Sequence, residues 1–543
     1  MTHGGRKRRS TIDNQFILNA LLEINKSKKL QSCLLFVDLK EAYDRVDRKI
    51  LLKKLLKLGF PMRLVTFIHR YYENDFIITI LEGQSTSRQY QSRGLRQGCN
   101  LSSILFIIYI VDLSIKMKAL GIGCSVSFII VCILLFADDI ILMANTMQEL
   151  DRMRSMLVEW CAHNRMQVST GKTQIVSEDE SVQMCLNDDD EEFLEFVSNY
   201  KYLGISQYKT VMLTSRNRRK EMVQKAERYK RMLLCKLRTV PDSVAVYRAL
   251  WESVAVPSIL YGSEALVVED AAIEELDKIQ RQYGKMLLGL NESTANEVVE
   301  MELGMKPFRM RFALRKVSYF KRHMEGEFEC GVVKVCLEEL MARPDGMFMK
   351  GIRSLLAPYG FELDSMPVNL EMRIEEVELG RLYRALSEKQ SLCLMPAPVG
   401  LWRVKEYIRD WSWSRIITAF RAGNAGLGNR DGHYRNMAVF MENGRIVACP
   451  LCNGQPYNEV HVLAQCVELE RARRDIRVDG MTLRRKLERY RRELGETDDV
   501  EICRYFVGQD LDLSIKDMKE HGSALLELMD AFFLSWAGRW TRR

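Results

Sequence analysis

Two adjacent carboxylates stand between two apolar runs in the string Ile133-Leu-Leu-Phe-Ala-Asp-Asp-Ile-Ile-Leu-Met143. Each run has the length and β-branched content of a buried strand, and Asp138 and Asp139 fall at the turn between them. Two carboxylates held side by side repel, so one stays protonated unless a cation neutralises the pair. Hard oxygen ligands suit Mg²⁺. The string predicts a metal-bound hairpin, and an Asp-Asp pair at a solvated β-turn stays open as the alternative.

Another short apolar run, Cys33-Leu-Leu-Phe-Val-Asp38, also ends in a carboxylate. It is followed by an amphipathic stretch from Arg45 to Leu58, which Gly59-Phe60-Pro61 closes as a helix stop. We therefore expect one strand to deliver Asp38 to its end and a later hairpin to deliver Asp138 and Asp139. Three carboxylates on adjacent strands can hold two divalent ions ~4 Å apart, the arrangement that serves in-line phosphoryl transfer.

A Cys/His cluster marks the last part of the chain. Cys449, Cys452, His461 and Cys466 have the spacing Cys-x2-Cys-x8-His-x4-Cys. The close cysteine pair can hold one side of a tetrahedral ion while a short helix carrying His461 and Cys466 closes the other side. The spacing predicts a structural zinc ion, because four protein ligands leave no open position for catalysis. Free thiols beside a surface histidine are the alternative.

Charge is distributed in patches along this chain of 543 residues, whose formal net charge is +8. Basic residues cluster at 6–9, 216–238 and 471–492, and an acidic run spans 188–192. The basic clusters are candidate phosphate contacts or solvated helix faces, and the first is also a candidate nuclear signal. The acidic run is expected at a solvated hairpin tip. We expect no membrane-spanning segment and no signal peptide, and fourteen scattered cysteines favour reduced thiols in an intracellular protein.

Six motifs follow one another along the first half of the chain. They are Phe36-Val-Asp-Leu-Lys-Glu-Ala-Tyr-Asp44, Arg93-Gly-Leu-Arg-Gln-Gly-Cys-Asn-Leu-Ser102, Phe136-Ala-Asp-Asp139, Gly171-Lys-Thr173, Tyr200-Lys-Tyr-Leu-Gly204 and Pro257-Ser-Ile-Leu-Tyr-Gly-Ser-Glu264. In these motifs and their order the chain resembles the reverse transcriptases of non-LTR (LINE-type) retrotransposons. The C-terminal Cys/His cluster, preceded by the string at 420–430, is similar to a cluster in the same elements.

The resemblance implies an α+β fold: a right-hand palm with fingers, built as an antiparallel sheet with helices, followed by a helical thumb and a small zinc module. We expect partial fingers and the palm at 1–205 and the thumb at 206–305. A helical connection is expected at 306–440, and the zinc-binding and basic helical region at 441–543. The thumb helices would lie along the template–primer minor groove.

The resemblance also implies roles for individual residues. Asp38 and Asp138 would be the main ligands of two Mg²⁺ (or Mn²⁺) ions, with Asp139 the weaker third. Lys172 matches the lysine proposed to protonate the departing pyrophosphate. Tyr43 would lie beneath the incoming sugar and exclude a 2′-hydroxyl, although an ordinary buried aromatic is the alternative. Gln97 and Gly98 match the loop that packs against nucleotide and template. For Arg96, a phosphate contact and a solvated charge are equally open.

Two functions from different classes follow. The first is an RNA-directed DNA polymerase that adds dNTPs to a DNA primer or target on a template RNA, as a ribonucleoprotein in the nucleus, the cytoplasm or both. The second is a catalytically inactive, decayed or domesticated remnant that binds nucleic acid. The intact carboxylates favour the first. The second is favoured because the segment Met1–Asp13 resembles the stretch just before the first catalytic strand in that family. We therefore expect an N-terminally truncated polymerase whose early finger strands and upstream endonuclease are missing.

Overall fold

The computed structural model describes most of the first 388 residues and parts of the C-terminal region. The described residues are 9–73, 75–82, 84–180, 182–186, 193–239, 244–324, 331–361, 370–388, 441–442, 445–446, 452, 461–495, 499–506, 521, 524–525, 527–528 and 531. The acidic run at 188–192, the string at 420–430, Cys449 and most of the basic cluster at 6–9 lie outside them.

Short strands alternate with helices up to residue 208. The elements are α1 (Thr11–Ser27), β1 (Cys33–Val37), α2 (Arg48–Lys57), α3 (Met62–Glu73), β2 (Phe76–Ile77), β3 (Ile80–Leu81), β4 (Gln84–Ser85), β5 (Gln89–Tyr90), α4 (Asn100–Ala119), β6 (Cys124–Val126), β7 (Ile129–Val131), β8 (Ile133–Phe136), β9 (Asp139–Ala144), α5 (Met147–His163), β10 (Gln174–Val176), β11 (Glu195–Phe196), β12 (Asn199–Tyr202) and β13 (Ile205–Tyr208). A 3-10 turn spans Thr170–Lys172. The mixed helix-and-sheet class expected from the motifs is confirmed.

The central sheet has five strands in the order β11-β10-β1-β9-β8. Strand β1 lies between β10 and β9, and both pairings are antiparallel. The β8–β9 hairpin is joined by a turn of two residues, because Phe136 pairs with Asp139. Helices and a second hairpin cover both faces, which explains why every residue of β1 is buried. Rigid, doubly covered strands are a suitable base for a site that needs fixed side-chain positions.

One face of the sheet packs on α2, α4 and α5. Leu35, Val37 and Leu142 from the strands share this core with Phe106 of α4 and Trp160 of α5. Among the described residues α4 is the one helix long and apolar enough to cross a membrane, and 44% of that stretch is buried inside the protein. Its buried face is the one that supports the sheet.

The opposite face of the sheet carries the β12–β13 hairpin, whose register pairs Tyr202 with Ile205. Helix α1 holds this hairpin through two side-chain bonds to Tyr202. Asn14 donates to its hydroxyl at 2.9 Å, and Gln15 donates to its carbonyl at 2.5 Å. These two bonds from buried side-chain amides fix the hairpin's position over β1.

Helices dominate from residue 211 to residue 388. They are α6 (Val211–Thr239), α7 (Val244–Leu250), α8 (Val256–Leu260), α9 (Asp270–Leu288), α10 (Glu297–Leu303), α11 (Phe308–Met324), α12 (Gly331–Met341), α13 (Met347–Leu356) and α14 (Leu370–Glu388). A π-helical turn, Trp251–Ala255, joins α7 to α8 just before Pro257. Pro257 has no amide hydrogen to donate, and a π turn is one way for a helix to accommodate that loss.

The described C-terminal elements are short. They are β14 (Met441–Glu442), β15 (Arg445–Ile446), a π-helical turn at His461–Gln465, α15 (Glu470–Asp475), β16 (Arg477–Val478), β17 (Met481–Thr482), α16 (Leu483–Leu494) and α17 (Asp499–Phe506). Strands β16 and β17 form a hairpin between α15 and α16.

The chain divides into two compact units that do not follow chain order. The first contains 1–221, 261–269 and 312–355, and the second contains 222–260, 270–311 and 356–543. The central sheet belongs to the first unit and the Cys/His region to the second. The domain boundaries expected at 205, 305 and 440 stay predictions.

Candidate functional site

The three carboxylates Asp38, Asp138 and Asp139 meet at one end of the central sheet. Val37 is paired with Ile140 across β1 and β9. Continuing that register by one residue places Asp38 opposite Asp139, and cross-strand neighbours of this kind have Cβ atoms ~5 Å apart. Asp138 occupies the second position of the two-residue turn, after Ala137, whose φ is 55°. The strand end and hairpin predicted from sequence are therefore present, but only Asp138 lies in the turn, because Asp139 pairs with Phe136 as the first residue of β9.

The electrostatics of Asp139 reflect this crowding. Burial, followed by the negative charges of Asp138 and Asp38, raises the pKa of Asp139 to about 6. Below about pH 6 a proton on that carboxylate relieves the repulsion, and at higher pH a bound cation would relieve it in the proton's place. Oxygen donors of this kind are the ligands that Mg²⁺ and Mn²⁺ prefer, so the residues present fit the predicted ions.

Lys172 reaches the same cluster from the 3-10 turn. Its Nζ lies 3.7 Å from Oδ2 of Asp38, and its side chain is 72% exposed. The turn is tied to the strand end because the Asp38 amide donates to Thr173 Oγ1 at 3.2 Å and the Ser169 amide donates to the Asp38 carbonyl at 2.8 Å. The structure thus brings together the four residues predicted to be catalytic.

Tyr43 lies against α4. Its ring stacks on Phe106, with centroids 4.6 Å apart and planes inclined by 14°. Burial raises the pKa of its hydroxyl, which Ser103 lowers by hydrogen bonding and the charge of Asp138 raises further. The side chain is partly exposed and faces the carboxylate cluster closely enough to sense its charge. It is therefore placed to contact a molecule bound beside Asp138, and its role as a steric gate stays a prediction.

The loop at 93–98 is anchored to the segment that carries Tyr43. The Leu95 amide donates to the Tyr43 carbonyl at 2.9 Å, and the Gly94 amide donates to the Val46 carbonyl at 2.8 Å. At Gly94 φ is +88°, and an added Cβ would lie 2.9 Å from a backbone oxygen of Asp44. Only glycine allows this close approach.

Beyond this anchor the loop presents Gln97 and Gly98. The Gln97 side-chain amide lies 3.5 Å from both carboxylate oxygens of Asp44. Gly98 has a φ of +79°, with open space where a side chain would stand. The two residues predicted to contact the nucleotide are therefore exposed at the tip of a loop whose base is fixed.

Arg96 is engaged within the protein. Its Nε donates to Asp75 Oδ1 at 2.8 Å, and its guanidinium lies 4.3 Å from the ring centre of Tyr71. Asp75 also binds Arg48, whose terminal nitrogen is 2.6 Å from Oδ2. Of the two interpretations offered for Arg96, a solvated charge or a phosphate contact, neither includes this pairing. The contact with Asp75 connects α2, the end of α3 and the loop at 93–98.

Tyr200 is a site candidate that the sequence interpretation missed. Its ring stacks on Phe36 of β1, with centroids 4.4 Å apart and planes inclined by 15°. Burial raises the pKa of its hydroxyl, and the charges of Asp38 and Asp139 raise it further. The signal was available, because Tyr200 begins a quoted motif and Phe36 lies two residues before Asp38. Nothing local in the sequence shows that the two motifs stack.

Three of the four predicted zinc ligands lie close together within the second compact unit. Ligand atoms of Cys452, His461 and Cys466 all lie within 4.8 Å of one another, and Cys452 Sγ is 3.2 Å from His461 Nε2. Arg473, which is 3% exposed, donates to the carbonyls of Val462 and Cys466 and so fixes the backbone that carries the ligands. Two sulfurs and an imidazole nitrogen fit zinc. The fourth predicted ligand, Cys449, lies outside the described residues.

The basic cluster at 471–492 is largely compensated by acidic neighbours. Glu470 alone accepts from three arginines, namely Arg473, Arg474 and Arg484. Arg489 pairs with Glu493, and Arg491 pairs with Asp499. The cluster at 471–492 is predicted to face phosphates, and its positive charge is already partly neutralised by these carboxylates.

Comparison with known proteins shows which family the region around the carboxylates is similar to. Residues 2–206 match the model of the family described as "Reverse transcriptase (RNA-dependent DNA polymerase)". The chain is 21% identical over 314 residues to the "Retrovirus-related Pol polyprotein from type-1 retrotransposable element R2" of Popillia japonica, and 29% identical over 135 residues to the corresponding type-2 element R2DM protein of Drosophila melanogaster. Residues 2–206 are thus similar to reverse transcriptase domains, and these relatives are Pol polyproteins of R2 retrotransposable elements. The resemblance drawn from the motifs is confirmed.

The aligned lengths differ between relatives. The Popillia japonica alignment covers 56% of this chain and 51% of that protein, and the Drosophila melanogaster alignment covers 25% and 13%. A 25% identical match to the "Transposon TX1 uncharacterized 149 kDa protein" of Xenopus laevis covers 30% of the chain and 13% of that protein. The chain thus spans about half, or less, of the curated relatives that it matches.

Among solved structures, telomerase of Candida albicans matches with a TM-score of 0.33 and 13% identity, over 52% of this chain and 51% of that one. The corresponding match to apo telomerase of Candida tropicalis has a TM-score of 0.27 and 14% identity, over 63% of this chain and 51% of that one.

Proposed function

We propose that this chain is an RNA-directed DNA polymerase of a non-LTR retrotransposon, which adds dNTPs to the 3′ end of a DNA primer on an RNA template. The observation that carries the proposal is the convergence of Asp38, Asp138 and Asp139 at one end of the central sheet, with the pKa of Asp139 raised to about 6. Two Mg²⁺ ions held by these carboxylates would activate the primer hydroxyl and stabilise the leaving pyrophosphate.

The surrounding residues suit the remaining tasks of such a reaction. Lys172 is exposed and within 4 Å of Asp38, so its ammonium can meet the negative charge of a departing group beside that carboxylate. The ring of Tyr43, which stacks on Phe106, would restrict the space beside Asp138 and exclude a 2′-hydroxyl. Gln97 and Gly98 form a fixed, open surface against which a nucleotide can pack.

The C-terminal cluster completes the proposal. Cys452, His461 and Cys466, together with Cys449, would hold one structural Zn²⁺ that stabilises a small module for RNA or target DNA. Site and module together suggest a ribonucleoprotein that works in the nucleus, the cytoplasm or both.

Primer extension tests the proposal directly. The purified chain is given an RNA template, a DNA primer, dNTPs and Mg²⁺, and Asp138→Asn is compared with Asp345→Asn. Asp345 is a matched control because its side chain is 95% exposed and belongs to the same compact unit. We expect Asp138→Asn to lose about a thousandfold in rate, since the lost charge stabilisation is worth several kcal/mol, and Asp345→Asn to extend normally.

Two outcomes contradict the polymerase. Equal extension by Asp138→Asn and the unchanged chain would show that these carboxylates are not the catalytic ones. Absence of extension in both, with retained nucleic-acid binding, would favour the binding-only remnant. Tyr43→Ala provides a second readout, because a steric gate predicts that this variant incorporates ribonucleotides while Asp345→Asn does not.

A further inference from the structure

A pocket of about 240 Å³ lies within the first compact unit, between α2, α3 and the segment that precedes the loop at 93–98. None of the residues predicted to act in catalysis, to contact the nucleotide or to bind metal lines it. Pockets that enclose drug-sized ligands have volumes of roughly 300–1,000 Å³, so this one suits a compact molecule. The pocket is therefore a candidate site that the proposed reaction does not use.

The floor of the pocket is apolar. Val65, Ile68 and Tyr72 recur at helical spacing on α3, and these three residues form its buried face. Helix α2 contributes Leu51, which is buried, and Leu52, which is only half-buried where it lines the pocket. The two helices therefore leave an apolar lining partly uncovered, and a ligand with an apolar body would cover it.

Arg48 lines the pocket as a rigid, planar group. Its guanidinium lies 4.6 Å from the ring centre of Tyr72, and its side chain is 13% exposed. It also donates to the carbonyls of Tyr72, Gln91 and Gly94. A side chain fixed in this way loses little conformational entropy when a ligand binds, and a guanidinium stacks well on a flat ring. The apolar body that suits this pocket is therefore aromatic.

The charge around the pocket is positive. The single carboxylate of Asp75 is shared by two guanidinium groups, those of Arg48 and Arg96. Lys49 and Glu73 are exposed at the rim, and neither has an ion-pair partner in the part of the chain that the structure describes. Three cations therefore accompany two carboxylates, which favours a ligand with one negative charge. Lys49 is the cation most available to it.

The pocket shares a wall with the base of the loop at 93–98. Gln91 and Ser92 line it immediately before that loop, and Arg48 Nε donates to the Gly94 carbonyl at 2.9 Å. A ligand packed against Arg48 and Gln91 would bind best when these bonds to the loop are formed. Binding then shifts the loop toward its fixed arrangement, to the extent that the ligand prefers that arrangement.

We propose that this pocket binds a small aromatic carboxylate and that its occupancy fixes the loop at 93–98. The ring lies against Leu52 and Arg48, and the carboxylate is bound by Lys49. The effect on nucleotide binding rests on the proposed function, whereas binding to the pocket does not. Because coupling between two sites is reciprocal, a dNTP and the aromatic carboxylate raise each other's affinity by the same factor.

Isothermal titration calorimetry of the purified chain, without dNTPs or nucleic acid, tests the site. The probes are 2-naphthoate, 2-naphthylmethanol and 2-naphthylmethylamine, which share a ring and differ in charge. We expect 2-naphthoate to bind with a Kd on the order of 0.1 mM and more tightly than the other two. Lys49→Gln should weaken 2-naphthoate about threefold, as the loss of one exposed ion pair predicts, and leave 2-naphthylmethanol unchanged. Leu52→Asn should weaken all three probes.

Lys53→Gln is the matched control. Lys53 is one turn after Lys49 on α2, is also exposed and does not line the pocket. Its removal changes the net charge by the same amount and should leave 2-naphthoate binding unchanged. The site is overturned by an absence of binding, by equal Kd values for Lys49→Gln and the unchanged chain, or by the same loss in Lys53→Gln. Tightest binding of 2-naphthylmethylamine would overturn the anionic class of ligand.

Hydrogen exchange measures the effect on the loop without catalysis. Saturating 2-naphthoate should slow exchange of the amides at 91–98 in the unchanged chain, and unchanged exchange there would contradict the coupling. In primer extension the same probe should lower KM for dNTPs about threefold. Normal extension with an unmoved KM would refute the coupling and leave the polymerase standing. Absent extension by the unchanged chain would refute the polymerase, while calorimetry and exchange still decide the pocket.

Discussion

Removing the carboxylate of Asp75 should loosen the loop at 93–98. Asp75 is 13% exposed and binds Arg48, also 13% exposed, at 2.6 Å and Arg96, 39% exposed, at 2.8 Å. Loss of one member of a buried ion pair costs about 3–5 kcal/mol, whereas an exposed pair is worth about 0.2–1 kcal/mol. Arg48 keeps three carbonyl acceptors, at Tyr72, Gln91 and Gly94, so it is not left unpaired. We therefore expect Asp75→Ala to lower the free energy of unfolding by about 2–3 kcal/mol.

Urea unfolding measures this loss, and Asp345→Ala provides the comparison. The Asp345 side chain is 95% exposed and 4.0 Å from Lys350, so its removal should cost about 0.5 kcal/mol or less. A double-mutant cycle between Asp75→Asn and Arg48→Gln should give the larger coupling energy, about 1–3 kcal/mol, and the cycle with Arg96→Gln the smaller.

A functional readout separates loop positioning from general stability. Because Arg96 is one residue before Gln97, we expect Asp75→Asn to raise KM for dNTPs several-fold at a temperature where the variant is fully folded. Faster hydrogen exchange of the amides at 91–98 should accompany this change. A destabilisation below 0.5 kcal/mol, or unchanged exchange in that loop, refutes the reasoning from these contacts.

Three further changes have defined outcomes. Gly94→Ala should cost about 2–4 kcal/mol and slow primer extension, because φ is +88° and the new Cβ meets the Asp44 backbone; normal thermal unfolding would contradict the close approach. Burial lowers the pKa of Lys316 to about 7. Between pH 7 and 10 its side chain is therefore neutral in the folded chain and protonated in the unfolded chain. The unfolding free energy should therefore rise over that interval by about 2–4 kcal/mol relative to Lys316→Met, with no difference in slope below pH 7. Cys466→Ser should lower bound zinc, measured by elemental analysis, from about one ion per chain, whereas Cys235→Ser, an exposed thiol on α6, should not.

Local patterns predicted the elements of the candidate site well. Apolar runs of four to six residues ending in Asp38 and beginning at Asp139 became β1 and β9, because short buried strands have a strong local signature. The helix expected from Arg45 begins only at Arg48, where Asp47 accepts from the Ile50 amide as an N-cap. The first residue of a helix depends on its N-cap residue, which the spacing of apolar residues does not identify.

The sequence pattern did not predict contacts between distant segments. Nothing local indicates that Arg96 pairs with a carboxylate twenty-one residues earlier, since a guanidinium binds whichever acidic group the fold brings near it. The sequence also did not indicate that 312–355 belongs to the same unit as the central sheet. There, buried His323 and Tyr319 contact Asp13 at 3.3 and 3.2 Å. Helical periodicity marks the buried face of α11 but does not identify the segment that covers it.

The register between β8 and β9 gives Asp138 and Asp139 different surroundings. A slip of one residue between β8 and β9 would turn Ile140 and Leu142 away from the core that they share with α2, α4 and α5, so the packing of this face holds the turn at Ala137 and Asp138. Asp139 is thereby kept opposite Asp38, where burial and two neighbouring charges favour its protonated form. A carboxylate that must lose a proton before it binds a cation is the weaker ligand. The register thus gives a physical reason for the prediction that Asp38 and Asp138 are the main ligands, and it implies that metal binding at this site should strengthen as the pH rises through about 6.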